Sequence, residues 1–124
     1  MHELSIALSI VERVEEEVRR QGDARVCAVH LRLGPLSGVV REALCFSYEV
    51  ACQGTVLEGS QLIVREVPVR VWCDNCGGAG DPVSNQCLHC AKCGSPACRV
   101  TGGDEMELES IEVEDLEHVT AAIG

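Results

Sequence analysis

The strongest constraint in this sequence is a cluster of cysteines between positions 73 and 98. The chain has 124 residues and nine cysteines, six of which fall in this interval. A segment of about thirty residues, rich in glycine and poor in large apolar side chains, cannot form a stable core by itself and needs a crosslink or a metal. The odd number of cysteines and the lack of a basic signal segment favour a reducing, cytoplasmic location over a secreted disulfide framework.

Two pairs in the cluster have the form Cys-x-x-Cys-Gly. They are Cys73 with Cys76, followed by Gly77, and Cys90 with Cys93, followed by Gly94. In such a knuckle the glycine allows a tight turn, so that backbone N–H groups point at the thiolates. Two knuckles supply four sulfurs to a tetrahedral Zn(II), which is a closed structural site. The spacing therefore predicts a structural zinc ion held by the four cysteines.

Three further side chains in the interval compete with this assignment. Cys87-Leu88-His89-Cys90 is a second Cys-x-x-Cys pair, but alanine follows it where the turn needs glycine. We therefore expect Cys87, His89 and Cys98 to be neighbours of the ligands or substitutes for them. Four thiolates can equally hold a single iron for electron transfer. Such iron sites usually lie among aromatic side chains, which make up only 2% of this chain, so zinc is favoured.

Hydrophobic periodicity predicts two helices and three strands around the insert. The helices are expected at residues 4–20 and 39–52, where apolar residues recur at three- and four-residue steps. The strands are expected at 25–33, 60–67 and 104–117, the last with a strongly acidic face.

The first strand also carries predictions about burial. Strict alternation places four apolar positions on one face of it, namely Cys27, Val29, Leu31 and Leu33. His30 falls on the other, more polar face, where we expect it to be solvated. The three cysteines outside the cluster are expected to be small buried apolar residues, Cys27, Cys45 and Cys52.

This order of elements predicts an α+β fold. Residues 1–69 and 102–124 are expected to form one domain, a small three-stranded sheet with two helices on a face. Residues 70–101 are expected to leave that sheet and return to it as an inserted zinc-ribbon domain with the two knuckles.

Charge and motif content narrow the possible functions. The formal net charge is -10, and the insert has three basic residues, so a nucleic-acid partner is not expected. A zinc-ribbon adaptor that recruits nucleic acid or the transcription machinery is the alternative that this charge opposes. No apolar run approaches the ~18 residues of a membrane span, so no membrane partner is expected. Neither a nucleophile with its base nor a phosphate-binding loop is evident, so we do not expect an enzyme.

The opening Met1-His2-Glu3 is a weak signal by itself, because a histidine near a terminus usually has no special role. A terminal amine, the next backbone amides and an imidazole at position two can nevertheless close chelate rings around one cation. Square-planar nitrogen coordination of this kind suits Ni(II) or Cu(II) rather than Zn(II). Both donors must lose protons to bind, so metal uptake is expected to fall in acid.

Several stretches together resemble the HypA/HybF family, nickel metallochaperones for the maturation of nickel–iron hydrogenases. They are the opening MHELSIA, the stretch HLRLGPLSGVVREALCFSYEVACQGTVLEGSQL, the paired knuckles and the ending CGSPACRVTGGDEMELESIEVED. The likeness runs over essentially the whole chain. It implies a nickel-binding α/β domain into which a structural zinc domain is inserted.

The resemblance also implies roles for particular residues and partners. His2 is the principal nickel ligand, helped by the Met1 amine and backbone amides, with Glu3 as a further candidate. The four knuckle cysteines match the family's zinc ligands. The family hands nickel to the hydrogenase large-subunit precursor together with a HypB-type GTPase, and some members also serve urease maturation. The extra side chains Cys87, His89 and Cys98 depart from the family pattern and raise the possibility of ligand exchange.

Overall fold

The structure is a computed structural model that describes residues 2–22 and 24–114 in full and residues 119–122 as backbone. Its elements in chain order are α1 (His2–Gln21), β1 (Arg25–Leu33), a short 3-10 helix (Pro35–Ser37), α2 (Arg41–Cys52), β2 (Gln61–Glu66), β3 (Arg70–Cys73), β4 (Gly78–Gly80), β5 (Cys98–Gly102), β6 (Met106–Glu114) and β7 (Val119–Ala122).

The chain divides into two compact units. The helical unit contains the chain up to Leu31, Val39–Arg65 and the residues from Glu107 onward. The cysteine unit contains Arg32–Gly38 and Glu66–Met106, so it includes all of the expected insert and short flanking segments.

In the helical unit, α1 and α2 pack against each other. The Val40 N–H, just before α2, donates to the Glu3 carboxylate in the first turn of α1 at 3.3 Å. None of the described helices is long and apolar enough to cross a membrane.

The sheet of the helical unit has the strand order β2-β1-β6-β7. The predicted strands thus become three neighbours in one sheet with two helices, and the α+β class is confirmed. The sheet has one strand more than predicted, because β7 pairs antiparallel with β6. In this register Ser110 lies opposite Ala122, and Val113 lies opposite Val119. The last residues assigned to the acidic strand, 115–117, lie outside the described residues.

A single apolar core joins the helices to this sheet. Leu44 and Tyr48 of α2 and Val14 of α1 are fully buried against Leu31 of β1 and Ile111 of β6. Leu108 packs against the same core as Ile111, so the inward phase of β6 shifts by one residue between them.

The burial predictions for β1 are partly wrong, because strict alternation does not hold there. Val26, Ala28 and Val29 are all buried, which turns Cys27 outward. Cys27 is exposed and its Sγ lies 3.6 Å from the Glu114 carboxylate. Cys52 is buried as predicted, and Cys45 is half-buried.

His30 is not simply solvated, as the sequence suggested. It is half-buried, and its Nε2 lies 3.0 Å from the Glu112 carboxylate on the neighbouring strand. Strand pairing brings the two residues together across 82 positions of sequence, which local periodicity cannot predict.

The cysteine unit contains a separate antiparallel sheet with the order β4-β3-β5. A close backbone approach joins its two chain segments, since the Gly34 N–H donates to the Glu105 carbonyl at 2.8 Å and the Leu36 N–H to the Gly103 carbonyl at 2.8 Å. A Cβ atom at Gly34 would collide with the Gly103 carbonyl. Lack of space therefore requires glycine at position 34.

Candidate metal centre

The four cysteines chosen from the sequence lie together in the cysteine unit. Cys73 is the last residue of β3, Cys76 lies in the turn to β4, and Cys90 and Cys93 lie in the loop before β5. Their four Sγ atoms are all within 4.8 Å of one another. Cys73 and Cys90 are buried, whereas Cys76 and Cys93 are exposed.

The two knuckles have equivalent backbone turns. The Gly77 N–H donates to the Cys73 carbonyl at 2.8 Å, and the Gly94 N–H donates to the Cys90 carbonyl at 2.7 Å. Both glycines adopt the left-handed conformation, with φ of 69° and 76°, which other residues adopt at a cost. In the first knuckle the Cys76 N–H points at the Cys73 Sγ at 3.4 Å. These are the turns that the two glycines predicted.

The sulfur spacing fits a tetrahedral metal. With a zinc–sulfur bond of about 2.3 Å, the sulfurs of a regular tetrahedron lie about 3.8 Å apart. The Sγ atoms of Cys73 and Cys93 are 3.6 Å apart, and those of Cys76 and Cys90 are 3.9 Å apart. These two distances match a tetrahedral thiolate-bound ion, and the other sulfur pairs are close enough for the four cysteines to hold one ion.

The two exposed thiols of the cluster have pKa values shifted in opposite directions. Hydrogen bonds with Cys93 and Cys73 raise the pKa of Cys76 to about 12. Hydrogen bonds from Asn75 and from the Ser95 backbone lower the pKa of Cys93 to about 6. The Cys76 sulfur thus keeps its proton more firmly than the Cys93 sulfur, because the hydrogen bonds stabilise the Cys93 thiolate. A divalent cation bound between these two sulfurs would favour the thiolate form of both.

The competing side chains occupy different places. Cys87 lies in a turn in which its backbone and that of Ser84 exchange hydrogen bonds of 3.1 and 3.2 Å. His89 is exposed. Neither belongs to the group of converging ligand atoms.

Cys98, by contrast, lies beside the cluster. It is directly opposite Cys73 in the β3–β5 pairing, and its Sγ donates to the Ser95 carbonyl at 3.4 Å. Burial, followed by a hydrogen bond with Cys73, raises the pKa of the Cys98 thiol. Sequence spacing did not separate Cys98 from Cys87, because strand register decides which thiol meets the cluster.

Two of the three basic residues of the insert have acidic neighbours. Arg70 pairs with Asp81, and the Arg99 guanidinium lies 3.5 Å from Asp74. Arg99 also lies over the Trp72 ring, 5.7 Å from its centroid. This pairing further weakens the alternative of a nucleic-acid adaptor.

At the chain terminus, His2 is the first residue of α1 and is exposed. The first four N–H groups of a helix have no acceptor within the helix, so a metal that recruits them breaks no helical hydrogen bond. Glu3 is half-buried and its carboxylate accepts the Val40 N–H, an interaction that links α1 to the start of α2. The third predicted nickel ligand, Met1, lies outside the described residues.

Comparison with known proteins gives a match over residues 1–113 to the family model described as hydrogenase/urease nickel incorporation, metallochaperone, hypA. The chain belongs to the HypA family. The resemblance inferred from the sequence is thereby confirmed, and with it the assignment to a family of metallochaperones for nickel incorporation.

Relatives and solved structures agree with membership of the HypA family. The hydrogenase maturation factor HypA of Roseiflexus sp. (strain RS-1) is 49% identical over 115 residues, which cover 93% of this chain and 94% of that protein. The HypA of Chloroflexus aurantiacus (strain J-10-fl) is 42% identical over 112 residues, covering 90% and 98%. The solution structure of the Ni metallochaperone HypA from Helicobacter pylori shares the fold with a TM-score of 0.63 at 23% identity, covering 88% and 94%.

Proposed function

We propose that this protein binds Ni(II) at its N-terminus and delivers it during the maturation of a nickel–iron hydrogenase, while the four-cysteine site holds a structural zinc ion. The observation that carries the nickel assignment is the position of His2, which is exposed at the first residue of α1. Imidazole and deprotonated amide nitrogens are ligands that Ni(II) accepts in square-planar geometry.

The proposed nickel ligands are the His2 imidazole, the Met1 amine and neighbouring backbone amides, with Glu3 contributing its charge or an oxygen. The partial positive charge at a helix N-terminus opposes a cation, and this favours binding weak enough for release. The half-buried Glu3 carboxylate offsets part of that charge. Nickel is thus cargo in this proposal.

The proposed zinc ligands are Cys73, Cys76, Cys90 and Cys93. When bound, zinc supplies a crosslink between the two knuckles and no reaction chemistry. The protein residues arrange the ligands. The glycine turns bring the sulfurs together, and the Cys76 N–H stabilises the Cys73 thiolate.

The proposed partners follow from the family. Hydrogenase maturation requires a recipient, for which we propose the hydrogenase large-subunit precursor, and a HypB-type GTPase would supply nucleotide hydrolysis. The family description also includes urease, so urease maturation factors are further candidates. In this role the protein is a cytoplasmic carrier and not an enzyme.

Native mass spectrometry of the untagged full chain, before and after one equivalent of Ni(II), tests both metals. We expect one zinc as purified and one added nickel that His2→Ala loses while keeping zinc. His89→Ala is the matched control, because His89 is also exposed but lies in the cysteine unit. If His2→Ala binds nickel as well as the wild type, the terminal site is wrong; if no zinc is present, the zinc assignment is wrong.

A further inference from the structure

A fifth thiol lies against the proposed zinc site. Cys98 pairs with Cys73 across the antiparallel strands β3 and β5. The next pair toward the turn, Asp74 with Ala97, carries a ladder hydrogen bond from the Asp74 N–H to the Ala97 carbonyl at 3.0 Å. Hydrogen-bonded and non-hydrogen-bonded pairs alternate along such a ladder, so Cys73 and Cys98 form a non-hydrogen-bonded pair.

This pairing brings the two side chains within reach of a disulfide bond. In a non-hydrogen-bonded pair the Cα atoms are about 4.5 Å apart and both side chains lie on the same face. Disulfides span Cα separations of about 4.4–6.8 Å, so no strand has to move for the two sulfurs to join. Both cysteines are free thiols in the structure.

The two thiols differ in exposure. Cys73 is buried, with 1% of its surface exposed, whereas Cys98 is half-buried. In the proposed zinc site the exposed sulfurs of Cys76 and Cys93 are bound to the metal, as is Cys73, so Cys98 is the uncoordinated thiol that an oxidant in solution can reach. The carbonyl of Ser95 accepts the Cys98 S–H at 3.4 Å, which keeps this thiol at the edge of the cluster and outside the four-sulfur group.

We propose that Cys98 and Cys73 form a reversible disulfide that makes the zinc site sensitive to peroxide. This inference rests on the proposed zinc site. Hydrogen peroxide oxidises the Cys98 thiol to a sulfenic acid and is itself reduced to water. The Cys73 thiolate then attacks the Cys98 sulfur, the S–S bond forms, the S–O bond breaks, and hydroxide leaves.

The consequence for the metal follows from the charge on the sulfur. Cys73 loses its negative charge in the disulfide and is no longer a thiolate ligand. Three thiolates remain, and the site is no longer a closed tetrahedral one. A thiol reductant gives up two electrons, breaks the S–S bond and restores both cysteines.

The experiment treats the full-length protein, as purified, with hydrogen peroxide. Released zinc is followed with a colorimetric chelator, and the protein is then digested for disulfide mapping. We expect a peptide pair joined through Cys73 and Cys98, zinc release that accompanies its formation, and recovery after a thiol reductant. Cys98→Ser should lose this rapid zinc release. Cys87→Ser is the matched control, a half-buried thiol of the same unit outside the cluster, and should release zinc like the wild type.

Disulfide mapping of the wild-type protein decides the proposal even if a variant folds poorly. A bond between Cys73 and Cys93, or zinc release from Cys98→Ser at the wild-type rate, overturns it. The zinc content before oxidation tests the zinc site itself. The disulfide map tests the present inference whatever that content is, so the two failures are distinguishable.

Discussion

Removal of the metal should unfold the cysteine unit and leave the helical unit folded. Among the described residues of the cysteine unit, the buried aliphatic side chains are Leu33, Val69 and Val71. At about 1.5–3 kcal/mol each, three such side chains contribute at most about 9 kcal/mol. A structural zinc site contributes about 10–16 kcal/mol in small zinc-binding peptides, so zinc at the proposed site would stabilise this unit more than its apolar core does.

The helical unit should not depend on the proposed zinc ion. Among the described residues its core contains fifteen buried ones, drawn from both helices, the sheet and the turn after α2. Because total stabilities of domains are about 5–15 kcal/mol, the loss of zinc exceeds what the cysteine unit can tolerate. Removal of zinc would leave the apolar core of the helical unit intact.

The chain provides one natural reporter for each unit. Its single tryptophan, Trp72, lies in β3 of the cysteine unit, and its single tyrosine, Tyr48, is buried in the core of the helical unit. A strong chelator should therefore shift Trp72 fluorescence toward that of a solvated indole and open residues 66–106 to protease. The near-ultraviolet circular dichroism of Tyr48 should be retained. Unchanged Trp72 emission and protease protection in demonstrably metal-free protein would refute this reasoning.

Three further predictions concern single residues. Gly34→Ala should destabilise the cysteine unit by about 1–3 kcal/mol in urea melts followed by Trp72 fluorescence, because its Cβ collides with the Gly103 backbone. A Cβ at Gly80 meets nothing within 4 Å, so Gly80→Ala should be nearly neutral in the same melts. Burial raises the pKa of Tyr48 above its ordinary value of 10.0, so the contribution of this residue to stability is complete below pH 10 and falls above it. Tyrosinate absorbance should therefore appear only as the protein unfolds. Its appearance in folded protein would contradict the burial argument. Glu3→Gln keeps an oxygen that accepts the Val40 N–H but lacks the charge, so it should retain the melting temperature and weaken nickel binding in calorimetry. Glu3→Ala should lower both the melting temperature and the nickel affinity. Wild-type nickel affinity in Glu3→Gln would exclude the carboxylate from the nickel site.

Local sequence patterns predicted both helices and the strands β1, β2 and β6, but not β7 or the strands of the cysteine unit. The strand at 25–33 has the predicted bounds, and the expected helix at 39–52 is observed as Arg41–Cys52. What failed was the assignment of faces in β1, where Val26, Ala28 and Val29 are all buried. Alternation assumes an uninterrupted pleat, and one shift of phase inverts every side chain beyond it.

The candidate metal centre was also predicted only in part from the sequence. The convergence of the four cysteines was predictable because each Cys-x-x-Cys-Gly knuckle is a local turn, and its glycine is readable in the sequence. The position of Cys98 was not, because it depends on the register Cys73–Cys98 between strands 25 positions apart in the chain. The contact between Glu3 and Val40 spans 37 positions and was equally inaccessible.

The two proposed metal sites differ in the feature that controls metal exchange. The four-cysteine site draws its ligands from two knuckles, and two of its sulfurs are buried, so release requires the unit to open or a ligand to be oxidised. The terminal site draws its ligands from one exposed helix end, so a recipient can approach without unfolding anything. The donors also differ, since sulfur in tetrahedral geometry suits zinc and nitrogen in a plane suits nickel. One chain can therefore retain one metal while passing on another, and peroxide acting at Cys98 would disturb the retained metal without touching the ligands of the cargo.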